Sequence, residues 1–303
     1  MTKVLVTGGS GMVGHALQRL RPEWTYISSS DADLTNLIET KQLFELVKPD
    51  YVIHLAAIVG GLYRNMANNY SIFCDNVLIN QNVLKCCEEY HIMDGIFILS
   101  TCIFPDNVEY PIDETKLHNG PPHKSNYGYS YAKRMLEVAC DLYNQKMSAN
   151  LKCLIPTNLY GIHDNFNLDD AHVIPGLIHR SYLTKQQNKP LVIKGTGIAK
   201  RQFLFVDDFA RIIIRIFDTP DISFNSLICS PNNEITISKV VSLIQCGYSN
   251  EEYDSSFSDG QILKTANNEK LLSLFPDFSF TDIDTGINIT INWFKDNYPN
   301  VRL

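Results

Sequence analysis

No apolar run in these 303 residues reaches the ~18–20 needed to cross a bilayer, so no membrane partner is expected. Basic residues are the minority, with 26 Lys and Arg against 33 Asp and Glu, and they form no cluster. Non-specific nucleic-acid binding needs a basic face, so nucleic acid is not expected either. The eight cysteines contain no CxxC pair and no ligand-like spacing, so no metal site is expected. The start, Met1-Thr2-Lys3-Val4-Leu5-Val6-Thr7, lacks the ordered basic, apolar and small-residue segments of a secretion signal. Reduced thiols and a cytoplasmic location follow as expectations. Cys74, Cys86, Cys87, Cys140, Cys153, Cys229 and Cys246 read as core filler, and Cys102 is set apart. There is no internal repeat and no low-complexity stretch.

What is present is an alternation of short apolar strands with helical spacing. Strands are expected at Val4–Val6, Trp24–Ile27, Tyr51–Ala57, Gly95–Ser100 and Leu151–Ile155. Helices are expected at Met12–Leu20, Lys41–Val47, Asn76–Tyr90 and Tyr129–Asn144. Near-continuous apolar strands separated by helices predict an α/β fold, a doubly wound parallel sheet. Past Asn158, prolines at 175, 190, 220 and 231 punctuate shorter elements. The expected division is a dinucleotide-binding domain over 1–165 plus about 200–230, and a smaller α/β substrate-binding region over 166–199 and 231–303.

Gly8-x-x-Gly11-x-x-Gly14 joins the first strand to the first helix. Glycine permits the turn and a close backbone approach, and a helix N-terminus presents free N–H groups to a pyrophosphate. That placement predicts a bound dinucleotide. The second strand ends in Tyr26-Ile27-Ser28-Ser29-Ser30, with hydroxyls where NAD sites usually carry a carboxylate. NADP(H) is therefore the expected cofactor, with Asp33-Leu34 available for the adenine.

Tyr129 and Lys133 stand four residues apart, on one face of a helix. A neighbouring ammonium stabilises phenolate, which is expected to lower the Tyr129 pKa toward neutrality. Ser100 ends a strand at the carboxyl edge of the sheet, where ligands bind in open α/β folds.

These motifs resemble the extended, sugar-nucleotide-modifying branch of the short-chain dehydrogenase/reductase family. The likeness runs through Val59-Gly60-Gly61, His54-Leu55-Ala56-Ala57, Ser100-Thr101-Cys102-Ile103-Phe104-Pro105, Pro156-Thr157-Asn158-Leu159-Tyr160-Gly161, His172-Val173-Ile174-Pro175, Gly195-Thr196-Gly197, Arg201-Gln202-Phe203 and Ser258-Asp259-Gly260-Gln261, nearly the whole chain. Ser10, Ser30 and Lys194 depart from the family's pattern.

The resemblance implies an NADP-dependent oxidoreductase with epimerase activity. It would invert C3 and C5 of a GDP-linked 4-keto-6-deoxy sugar and reduce C4. The catalytic set implied is Ser100, Cys102, Tyr129, Lys133 and His172, with Cys102 as base and His172 as acid. Cys102 lies two residues after Ser100, so in an extended chain both side chains would point the same way. The cofactor would be held by Gly8, Ser10, Gly11, Met12, Val13, Gly14, Ser29, Asp33, Leu34, Leu55, Ala56, Ala57, Pro156, Asn158, Leu159 and His172, besides Tyr129 and Lys133. Asn158, Arg180, Arg201 and Lys264 would hold the substrate, Arg201 on its diphosphate. The family commonly pairs two long helices into a homodimer, and Leu136, Val138 and Ala139 are apolar residues available for this. Two other readings stay open: a 4-reductase for a UDP- or dTDP-linked keto sugar, and a non-enzymatic NADP-binding regulatory module.

Overall fold

The structure is a computed structural model, which describes residues 2–245 and 250–303. Cys246 lies outside the described residues. The first half alternates β1 (Val4–Thr7), α1 (Met12–Leu20), β2 (Thr25–Ile27), α2 (Leu37–Val47), β3 (Tyr51–His54), α3 (Leu62–Ala67), α4 (Asn69–Glu89), β4 (Asp94–Ile98), α5 (Tyr127–Met147) and β5 (Asn150–Pro156). There follow β6 (Asn158–Tyr160), α6 (Val173–Gln186), β7 (Leu191–Lys194), β8 (Lys200–Arg201), β9 (Phe203–Phe205), α7 (Val206–Phe217) and β10 (Ser226–Cys229). The remainder is β11 (Ile235–Thr236), α8 (Ile237–Gln245), β12 (Glu251–Asp254), β13 (Leu263–Lys264), α9 (Glu269–Leu274) and α10 (Ile283–Asn297).

Six strands form one parallel sheet in the order β10-β5-β4-β3-β1-β2. This is the doubly wound arrangement expected from the sequence. Alternate residues of each strand feed opposite faces. Leu5, Val52, Phe97 and Cys153 pack under α2, α4 and α5. Val4, Val6, Ile53, Ile96 and Leu154 pack under α1 and α7. Burial on both faces explains why these strands read as unbroken apolar runs. A third apolar cluster joins Phe166, α6, α8 and α10. Beside it lie three small sheets built from β6 to β9 and β11 to β13. Among the described residues, no helix is long and apolar enough to cross a membrane.

Several boundaries differ from the sequence expectation. α4 begins seven positions earlier than expected: Asn68 separates it from α3, and Asn69 and Tyr70 open the helix ahead of its apolar rhythm. β3 ends at His54, since the backbone of residues 55–57 turns away to meet the glycine turn. Of the cysteines taken as filler, Cys86, Cys87, Cys140, Cys153 and Cys229 are buried, whereas Cys74 is only half-buried.

A polar chain crosses this apolar interior. The fully buried His54 ring has Nδ1 2.8 Å from Thr7 Oγ1 and Nε2 3.1 Å from Asn80 Oδ1. Asn80 Nδ2 donates to the Ala132 carbonyl, so its Oδ1 accepts and His54 Nε2 carries the proton. The chain links β1, β3, α4 and α5 one residue before Lys133. Burial, with the Lys133 charge adding to it, holds the imidazole down to about 3. In the unfolded chain a histidine titrates near 6.5. Between those values only the unfolded state takes up the proton. The stability due to neutral His54 is therefore complete above pH ~6.5 and is lost as pH falls toward 3. His54→Gln is expected to lose about 1–3 kcal/mol at neutral pH. Over pH 6.5 to 3 its stability should fall less steeply than wild type, by up to ~1.4 kcal/mol per pH unit. Urea unfolding at several pH values measures both.

Candidate active site

The glycine turn is built by close approaches. Gly8 has φ +72°, and a Cβ there would lie 2.8 Å from the Ala56 nitrogen. Gly9 presses on β2, where a Cβ would sit 2.7 Å from Tyr26 Cβ, and its N–H donates to the Ile27 carbonyl. Gly14 in turn lies over Gly9, with only 2.3 Å between an added Cβ and the Gly9 oxygen. Gly11 is different. Its added Cβ would meet only the Gly8 oxygen, at 3.2 Å. Gly8, Gly9 and Gly14 thus bring the loop onto the sheet, and Gly11 bares backbone at the start of α1. Ser10 is exposed there, and Met12 and Val13 are half-buried. The cradle suits a dinucleotide pyrophosphate. Leu55, Ala56 and Ala57 pass half-buried along its other side.

The turn after β2 is not the purely hydroxylic surface that the sequence suggested. Asp31 folds back, and its Oδ2 accepts from the Ser28 N–H and hydroxyl, both at 2.7 Å. Those bonds hold its carboxyl below the usual range. Ser29 is exposed. Asp33 accepts from the Thr35 N–H and hydroxyl. Leu34 has its side chain in the core and its carbonyl on Asn82 Nδ2, so an adenine would meet Asp33 rather than the Leu34 side chain.

At the carboxyl end of β4 the chain passes into a short 3₁₀ turn, Thr101–Ile103, with Ser100 as its cap. The expected extended geometry between Ser100 and Cys102 is therefore replaced by a turn: the Cys102 N–H reaches Ser100 Oγ at 3.4 Å. Against this turn lies the start of α5. Lys133, buried, donates from Nζ to the Ile98 carbonyl at 2.7 Å. Its Nζ stands 6.0 Å from the centre of the Tyr129 ring. Burial brings the Lys133 amine down to about 8. The expected lowering of the Tyr129 phenol is not found. Burial raises it, and a charge on nearby Cys102 would raise it further. Desolvation outweighs the ammonium, which bonds to a carbonyl and not to the phenol.

Lys133, Arg134 and Lys264 all lie within electrostatic reach of the Cys102 sulphur. Lys264 also senses Arg201, so it links the thiol to the second wall of the site. That wall holds a cavity of about 60 Å³, lined by Asn158, Leu159, His172 and Arg201 among others. Pro156, buried at the end of β5, precedes it. Arg201 donates to the Lys200 and Asp259 carbonyls. Arg180 lies two turns into α6, its Nε on the Gly176 carbonyl.

His172 stands at the N-cap of α6, but its side chain makes no capping hydrogen bond. Its surface stays open, yet enough protein surrounds the ring for desolvation to lower its pKa, with the Asp170 charge pulling the other way. Asp170 is itself clamped: Oδ1 accepts from the Gly61 N–H at 2.7 Å and Oδ2 from Arg64 Nη1 at 2.7 Å. On the far side of the cradle, His163 stacks on His15 of α1 at 4.2 Å and packs on Trp293 of α10 at 4.6 Å.

The sequence profile of the NAD dependent epimerase/dehydratase family matches residues 4–226. The chain belongs to this family. Family relatives with curated names include the GDP-L-fucose synthase of Dictyostelium discoideum, 46% identical over 99% of this chain and 97% of the relative. The probable GDP-L-fucose synthase of Drosophila melanogaster is 43% identical over the full length of both. The crystal structure of a GDP-L-fucose synthetase from Naegleria fowleri bound to NADP superimposes with a TM-score of 0.93 at 40% identity, covering 100% of this chain and 95% of the other.

Sequence reasoning did not single out Gly9, Arg134, or the Asp170–Arg64 clamp. Gly9 was visible as the doubled glycine at 8–9. The other two are set by chain crossings that no local spacing reveals. The glycine geometry makes a direct test. Gly14→Ala is expected to cost about 1–3 kcal/mol through overpacking against Gly9. Gly11→Ala should melt close to wild type yet bind NADPH more weakly. Thermal melts and a fluorescence titration with NADPH separate the two.

Proposed function

We propose that the chain converts GDP-4-keto-6-deoxy-D-mannose to GDP-L-fucose with NADPH, by inverting C3 and C5 and reducing C4. The observation that carries this is the one turn that sets Ser100 and Cys102 against Tyr129 and Lys133. It stands in a chain 43–46% identical over its whole length to GDP-L-fucose synthases.

In this reading the cradle of Gly8, Gly11 and the α1 N-terminus takes the pyrophosphate of the cofactor. When bound, NADPH supplies the hydride that reduces C4. Arg201 and Lys264 present charge to the substrate diphosphate, with Asn158 and Arg180 on the same side. The C4 carbonyl makes the protons on C3 and C5 acidic. Cys102, as thiolate, takes such a proton, and the electron pair moves onto the carbonyl oxygen. His172 returns a proton to the opposite face, which inverts the centre. Asp170 helps keep the imidazole protonatable. For the reduction, the Ser100 hydroxyl donates to the C4 oxygen; its own oxygen already accepts from Cys102 N–H. Tyr129 then gives its proton to that oxygen. The phenolate left behind faces Lys133, whose charge, fixed by the Ile98 carbonyl, offsets the cost of forming an anion in a buried position.

Two further parts belong to the same proposal. The enzyme resides in the cytoplasm, in keeping with its buried free thiols. Two copies pair through α4 and α5. Tyr127, Met135, Val138 and Leu142 form an exposed stripe at helical spacing on α5, beside Tyr70 and Leu78 on α4. Leu136, expected to face a partner, is instead buried in the core.

Incubation with GDP-4-keto-6-deoxy-D-mannose and NADPH should give GDP-L-fucose and oxidised cofactor on nucleotide-sugar chromatography. A folded protein that gives neither product ends the reading. Cys102→Ser should retain NADPH binding and lose at least ~100-fold in epimerisation, the scale of one positioned acid–base group. Light scattering should return twice the 34.4 kDa chain mass, and Leu142→Glu should return the monomer.

A further inference from the structure

The glycine turn and the end of β2 are joined by the Gly9 N–H, which donates to the Ile27 carbonyl at 2.7 Å. Ser10 and Ser28 are the next residues on either side of that bond. The adenosine end of a dinucleotide in the cradle therefore faces Ser10 and the turn that follows β2. NADPH and NADH differ there, by a phosphate on the 2′ oxygen of the ribose. Such a phosphate is held by hydrogen-bond donors and by cations.

The turn uses its donors internally. The Ser28 N–H and hydroxyl both go to Asp31 Oδ2, each at 2.7 Å. With its own proton committed, Ser28 Oγ accepts from the Ser30 hydroxyl at 2.7 Å and from the Ser30 N–H at 3.3 Å. The N–H groups of Asp31 and Ala32 go to the Ser28 carbonyl. In residues 28–32, Ser29 alone keeps its N–H and hydroxyl uncommitted among the described residues. No cation stands in for the missing donors. Arg19 and Arg21 of α1 are paired with Asp207 and Asp218, and Lys41 of α2 is paired with Glu89. The charged residues between Ser28 and Thr40 are all carboxylates: Asp31, Asp33 and Glu39. Asp31 is exposed, and its Oδ1 accepts no bond from the described residues. A free carboxylate oxygen after the second strand is the acceptor that a ribose 2′-hydroxyl uses.

We propose that Asp31 is the specificity-determining residue between the two nicotinamide cofactors: its carboxylate repels a 2′-phosphate, keeps the Ser28 and Ser30 donors from it, and offers an acceptor to a 2′-hydroxyl, so that NADH serves as a second hydride donor beside NADPH. Ser10 and Ser29 supply the remaining grip on the phosphate. The reduction is the same in kind, since either cofactor gives its hydride to C4 and leaves with an oxidised ring. This rests on the dinucleotide lying in the cradle, and not on which sugar is reduced.

Binding is read without substrate, by titrating the fluorescence of each reduced cofactor with the full-length protein at low and at high NaCl. At low salt NADPH and NADH should bind within about tenfold of each other. Asp31→Asn keeps an acceptor for the Ser28 N–H and removes the charge. It should tighten NADPH about tenfold and weaken NADH, and the gain for NADPH should shrink at high salt, where an exposed charge is screened. A residue that merely shaped the turn would move both cofactors together and at either salt. Ser30→Lys, which adds a cation, should tighten NADPH alone. Turnover of the keto sugar with each cofactor should follow the same ratios. A wild-type preference for NADPH well above tenfold overturns the proposal, and so does a preference that Asp31→Asn leaves in place. Failure of folded wild-type protein to bind either cofactor overturns the cradle reading and the proposal with it.

Discussion

The arrangement depends on one buried ammonium. Lys133 enters the interior where β4 ends and spends a hydrogen bond on the Ile98 carbonyl. A charge in that position is tolerable only where dipoles and future anions surround it. The surroundings answer this requirement: a carbonyl below, the Tyr129 ring to one side, Cys102 in reach, and the neutral His54 chain behind. Moving any of these elements leaves the charge uncompensated. The carboxyl edge of the sheet is thereby turned from a generic ligand shelf into a chemically committed one.

The second constraint is that the two halves of the site come from distant parts of the chain. The cradle, the 3₁₀ turn and α5 belong to the first half. His172, Arg201 and Lys264 arrive from the region beyond β6. The Asp170 clamp fixes one seam between them, since Gly61 and Arg64 precede α4 while Asp170 lies just before His172. On the proposed reading of His172 as the acid, its position depends on a contact made by the segment that precedes α4.

Much of this was legible in the sequence, and the reasons are local. The glycine turn and the Tyr129–Lys133 pair are read from spacing because turn geometry and helical pitch act over a few residues. The parallel sheet is read from strands buried on both faces. What failed depends on crossings or on dielectric. The Ser100–Cys102 relation was misread because the strand ends at Ile98, two residues earlier than the apolar run suggests. The Tyr129 phenol was expected to be lowered, but a sequence cannot show how deeply a helix face is buried. The turn after β2 was read as hydroxyls alone, yet it doubles back and brings the Asp31 carboxylate to Ser28. Arg134 carried no signal in the sequence, because its partner, the Ile103 carbonyl, comes from a segment some distance away along the chain.

The stack of His15, His163 and Trp293 has a consequence for how the molecule is made. Trp293 and the Arg302 carbonyl, which accepts the Phe166 N–H, support the loop that rests against α1. The first helix, which the glycine turn opens, thus packs through His163 on a residue from the last helix. The packing on α1 is therefore complete only when α10, from the far part of the chain, has docked beside it.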